Sequence, residues 1–209
     1  MKDKVGEEII VDLNFDRQEL DRILNPQNYK PENLIEIFRN GVKGMEPPIF
    51  ERSGHVGFPT SADHSLKVLE QFEDYYEHLP LPGGVDVNLF RVILVLHDIG
   101  YPLGGRYDQH EYTVPMVQTI LENLNYTEAE IKIALALISK DPLGFYFTQE
   151  PGFKYAEDAM DLIKEKSVEA GLSFKDFFEI LVVFYTCDAS SYRHLQRLFE
   201  MDPTNKTIK

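Results

Sequence analysis

"VILVLHDIGYP", Val92 to Pro102, sets five aliphatic residues in an unbroken run, then places an imidazole and a carboxylate side by side before Gly100 and Pro102 break the chain. With the apolar residues that precede it, the run predicts a buried helix over 87–98. His97 and Asp98 end that helix, so at least one of them turns inward. A polar group taken out of water without a partner costs roughly 2–7 kcal/mol, so the pair demands partners.

Working outward, Thr60 caps a helix with Asp63 in its first turn, running to about Leu79 before "PLPGG". On it His64, Val68, Phe72, Tyr75/Tyr76 and Leu79 follow steps of three and four, which puts His64 on the stripe facing the core. A third helix is expected over 111–124, with Pro115 tolerable only near its first turn. Thr127 and Glu130 form a capping-box pattern for a fourth that ends near Lys140. "DPLGFYFTQEPG", 141–152, reads as a loop. Residues 156–170 are amphipathic and stop at Gly171, and Ser173 with Asp176 opens the last helix. There Phe177, Leu181, Phe184 and Asp188 share one apolar stripe, so Asp188 needs a partner too.

Toward the start, "EEIIVDL", 7–13, reads as a short strand or arm, and "FDRQELDRIL" and "PENLIEIFRN" as short helices, the second opened by Pro31. Residues 41–59 form an irregular, Gly/Pro-rich entry. The fold class expected is all-α, a helical bundle over 51–200. Residues 1–50 would be an extension packing on the core or forming a subunit contact, and 201–209 a tail.

A chain of 209 residues with 43% hydrophobic content suits one domain with an extension. The net charge of −14 works against nucleic acid or an anionic membrane as partner, since both attract basic faces. A homo-oligomer is left open. Cys187 is the single cysteine, so no intrachain disulfide forms, which fits a reducing compartment. The first residues lack the apolar stretch of a signal peptide, and no apolar run reaches the ~18 residues of a membrane helix. The location expected is cytoplasmic.

His64, His97, Asp98 and Asp188 thus converge from three helices. Two imidazoles and two carboxylates suit one divalent transition metal such as Mn, Fe, Co, Ni or Zn. The same residues can equally serve as hydrogen-bonded core groups.

The order His64, then His97 with Asp98, then Asp188 resembles the HD-domain superfamily of metal-dependent phosphohydrolases. "DHSLKVLEQF" is similar to its first ligand helix, "LHDIGYP" to its His-Asp turn, and "YTCDA" to its last ligand helix. "QHEYTVPMV" resembles the segment that often follows the pair. The resemblance spans about residues 52–195. It implies a helical fold in which the four residues hold one metal, and in which Asp98 also touches a water that attacks phosphorus. The expected reaction is hydrolysis of a phosphate ester or anhydride of a small molecule, a nucleotide among the options.

By the same resemblance, Lys140 and His110 are candidate catalytic residues that neutralise a substrate phosphate, with Arg52 and Arg106 beside them. His55 would line the entry. "GFYF", 144–147, would stack a base or belong to the core. Two-metal members carry a second His set where this chain has Lys140 and Asp141, which favours one ion, although Asp141 can ligate a second. Members with a catalytic Glu three residues past the pair have it where Tyr101 stands. The alternatives are a non-catalytic signalling or interaction module of the same fold, and a diiron oxygenase, which needs the second His set.

Overall fold

The computed structural model describes residues 11–44, 47–52, 57–147 and 155–192, with the backbone of 201–202 and 207–208. Strand β1 (Asp12–Leu13) pairs antiparallel with β2 (Val42–Lys43), Leu13 opposite Val42. Between them lie α1 (Arg17–Leu24), capped by the Asp16 carboxylate, and α2 (Pro31–Gly41), with Pro31 in its first turn. Helix α3 (Ser61–Tyr75) opens on a Thr60/Asp63 capping box, and α4 (Val87–Leu96) on Asp86, which accepts from the Asn88 and Leu89 amides. Helix α5 (Tyr101–Asn123) leads through a Thr127/Glu130 box to α6 (Glu128–Ile138). Then come α7 (Pro142–Phe147), α8 (Ala156–Ala170) and α9 (Phe174–Ser191), followed by a hairpin of β3 (Met201–Asp202) and β4 (Thr207–Ile208).

Helix α4 is apolar all round because it is covered all round. Leu89, Phe90 and Val92 through Leu96 are almost fully excluded from solvent, and α3, α6 and α2 pack on it. Leu20, Leu34 and Phe38 from α1 and α2 join Phe72, Phe90 and Phe177 in one continuous core. The chain ahead of α3 therefore contributes buried apolar surface to the same core. Among the described residues, no helix is long and apolar enough to cross a membrane.

Three expectations change. Residues 142–147 form α7 and not a loop: the Asp141 carboxylate accepts the Gly144 amide at 2.8 Å, and Pro142 suits a first helical position. The Thr60 helix stops at Tyr75, and Leu79 lies half exposed in the turn beyond. Helix α5 starts ten residues before Glu111, so Pro115 lies well inside it. The proline sits on the exposed side of the helix, where water can reach the Glu111 carbonyl it cannot serve. Of the sequence-predicted segments, 7–10, 148–152 and His55 lie outside the described residues.

Gly105 interrupts α5 with φ 62 and ψ −166, a conformation that side-chain-bearing residues avoid, and nothing lies within 4 Å of where a Cβ would stand. Gly105→Ala is therefore expected to lose about 1–3 kcal/mol through backbone strain alone. Urea unfolding checks this, and an unchanged midpoint would contradict it.

Candidate metal centre

Helix α3 presents His64 one turn past its capping box, wholly buried. His97 follows the last residue of α4, still in helical conformation, and its Nδ1 faces the Leu94 carbonyl at 2.8 Å. That bond fixes Nδ1 as the protonated nitrogen and leaves Nε2 a lone pair aimed inward. The two imidazoles meet through their Nε2 atoms, 3.2 Å apart. Asp98 Oδ2 lies 3.5 Å from each Nε2, and Asp188 Oδ1, delivered by α9, lies 3.3 Å from His64 and 3.6 Å from His97.

One ligand atom from each of the four residues lies within 4.8 Å of all the others. Lone pairs thus converge on a small volume, and the buried Asp188 Oδ1 has no hydrogen-bond donor. A nitrogen/oxygen set of this kind fits a divalent cation. Its electrostatics point the same way. Burial opposes charge on His97, but Asp98, Asp188 and the Leu94 carbonyl outweigh it and raise the ring's pKa. Burial likewise opposes charge on Asp188, but His64 and His97 outweigh it and hold the carboxyl below its usual range. The centre favours positive charge.

The cluster opens into a cavity of about 300 Å³. His97, Asp98 and Asp188 line it, as do Arg106, His110, Lys140 and Asp141. The fold therefore brings three of the predicted phosphate-binding candidates to the cavity. Arg52 is not among its lining residues; its Nε donates to the Pro47 carbonyl at 3.0 Å. Lys140 is exposed at the cavity's edge. His110 differs in character: burial, aided by Lys140, lowers its pKa despite Asp98 and the Ile138 carbonyl. Its buried Nε2 has no partner, so the ring offers an acceptor and not a charge. From the "GFYF" stretch, Phe145 lines the cavity while Phe147 stacks on Tyr185 at 5.8 Å.

Phe184, which shares the stripe of Asp188, lines the cavity, and sequence reasoning missed Tyr185, Tyr192 and Gln109, which line it too. Tyr185 carried a signal, three residues before Asp188 on α9, while Tyr192 follows the last residue of that helix. Tyr192 also packs on His64, with ring centroids 5.3 Å apart.

A family model described as "HD domain" matches residues 61–166, about half of the chain. The match takes in His64, His97 and Asp98 and ends before α9, so the place of Asp188 in the cluster rests on the geometry. No curated protein and no solved structure matches.

Proposed function

The chain belongs to the HD domain family, and on that premise we propose that it hydrolyses a phosphate ester or anhydride of a small molecule, a nucleotide being one candidate. The observation that carries the reading is the convergence of His64, His97, Asp98 and Asp188 at the wall of a cavity that also holds Lys140 and Arg106. These four would hold one divalent ion of Mn, Fe, Co, Ni or Zn. Such an ion supplies Lewis acidity that lowers the pKa of a coordinated water to about 7 and polarises a phosphoryl oxygen.

The protein's own groups do the rest. The Leu94 carbonyl fixes the His97 tautomer. The Asp98 side chain is 14% exposed and faces both the imidazoles and the cavity, so its carboxylate can orient an attacking water. Lys140 and Arg106 neutralise phosphate oxygens, and the neutral His110 Nε2 accepts a proton, or a hydrogen bond that a hydroxyl donates. A cavity of about 300 Å³ suits a small ligand. The net charge of −14 supports a small substrate over a phosphate polymer.

Phosphate release from a panel of phosphomonoesters and nucleotides, with each metal added in turn, tests this reading. The expected result is turnover that chelator removes and fresh metal restores. Metal binding without any turnover would favour the non-catalytic module instead. Lys140→Ala is expected to raise KM about ten- to a hundredfold, the equivalent of one charge-assisted hydrogen bond, with metal content unchanged. An unaltered KM would remove Lys140 from the site.

A further inference from the structure

Asp141 stands at the junction of α6 and α7, on the wall of the cavity that Asp98 and Asp188 also line. Its carboxyl is anchored by one hydrogen bond and rests against a glycine. Oδ1 accepts the Gly144 amide at 2.8 Å, which commits that oxygen to capping α7. Oδ2 lies against Gly144 so closely that a Cβ there would come within 1.9 Å of it, so only glycine leaves the carboxyl its seat. Asp141 thus stands on the same cavity wall as Asp98 and Asp188, anchored through Oδ1.

We propose that Asp141 is the acid of the reaction, donating a proton from Oδ2 to the leaving-group oxygen as its bond to phosphorus breaks. This rests on the phosphohydrolase reading and adds a catalytic residue to it. In the step, the water oxygen forms a bond to phosphorus and the ester P–O bond breaks. Its electron pair stays on the departing oxygen, which takes the Asp141 proton. The proton shed by water passes to His110 Nε2, which is neutral and buried without a partner. Exchange with solvent then returns it to Asp141, so that ester and water become alcohol and phosphate.

The surroundings set the two groups for opposite tasks. Burial favours the protonated carboxyl of Asp141; the Gly144 amide opposes it, Asp188 and Asp98 add to it, and Arg106 opposes it, leaving the pKa at about 7. Lys140 is its chain neighbour, and Tyr185 faces it from α9, with a hydroxyl pushed up to about 12 by burial, Asp141 and Asp188. His110 is driven the other way, toward its neutral form. Two titratable groups in one cavity, the carboxyl shifted toward its protonated form and the imidazole toward its neutral form, divide the acid and base roles between them.

The test compares Asp141→Asn with wild type on two esters, 4-nitrophenyl phosphate, whose leaving group departs without a proton, and glycerol phosphate, whose alkoxide needs one. Asn retains the acceptor for the Gly144 amide, so α7 keeps its cap. On glycerol phosphate kcat is expected to fall by about 10²–10⁴-fold, and on the nitrophenyl ester by no more than about threefold, with metal per chain unchanged. Gly144→Ala, which displaces the carboxyl, is expected to show the same dependence on leaving group. Equal losses on both esters would overturn the acid role, and loss of metal in Asp141→Asn would make Asp141 a ligand instead. A metal-loaded wild type that turns over neither ester would overturn the phosphohydrolase reading, and the acid role with it.

Discussion

Asp98→Ala is expected to purify without bound metal and to lose turnover by about 10³-fold, the equivalent of about 4 kcal/mol of transition-state stabilisation. Asp98 Oδ2 lies 3.5 Å from both imidazole nitrogens. Its removal leaves one carboxylate, Asp188, to balance a divalent charge. His64 and His97 then become buried polar groups with too few partners, which costs about 1–3 kcal/mol for each group left unsatisfied. His97→Ala is expected to behave alike, since it too removes a donor. Elemental analysis of both variants beside wild type, with circular dichroism to establish folding, checks the point. Full metal content in a folded Asp98→Ala would remove that residue from the ligand set.

Arg91→Ala is expected to destabilise the protein by about 3–5 kcal/mol, the range for breaking one side of a buried ion pair. Arg91 is only 8% exposed, and its Nε and Nη2 reach the two Glu73 oxygens at 2.8 Å each. Nη2 also reaches Glu77 at 3.2 Å, while the Tyr29 hydroxyl donates to Glu73 Oε1 at 2.7 Å and the Tyr29 ring lies under the guanidinium. Without Arg91 the Glu73 carboxylate keeps its charge in a half-buried site with little beyond Tyr29 to offset it. The network joins α3 to α4, the helices that carry His64 and His97, and ties the segment between α1 and α2 to both. Replacing Arg91 and Glu73 together by methionine is expected to recover most of the loss, because no uncompensated charge remains. Urea unfolding measures both, and a loss below ~1 kcal/mol for Arg91→Ala would show that solvent already screens the pair.

Much of this architecture was legible from spacing. A histidine on the stripe with Val68 and Phe72, and an aspartate on the stripe with Phe177 and Phe184, are polar residues where burial was already implied. Helix α4 announced itself by its unbroken apolar run, and the capping residues Thr60, Thr127 and Ser173 marked true helix starts. Helix α7 was hidden because it is short and contains Gly144, although Asp141 accepting the Gly144 amide with Pro142 at the first position is a local start signal. The early start of α5 was hidden by Gly100 and Pro102, which read as a break, whereas Pro102 lies in the first turn of the helix and only Gly105 interrupts it. The cavity was the least legible part. His110 was named by resemblance, but Gln109 gains meaning only from how α5 crosses α6, and no local pattern encodes that crossing.

Four side chains, from α3, α9 and the end of α4, are expected to hold one cation. The most direct test is an anomalous difference map from crystals grown with added zinc. One strong peak is expected about 2.0–2.2 Å from His64 Nε2, His97 Nε2 and a carboxylate oxygen each of Asp98 and Asp188. A map with no peak among those atoms, or with a peak that Asp188 does not reach, would contradict it.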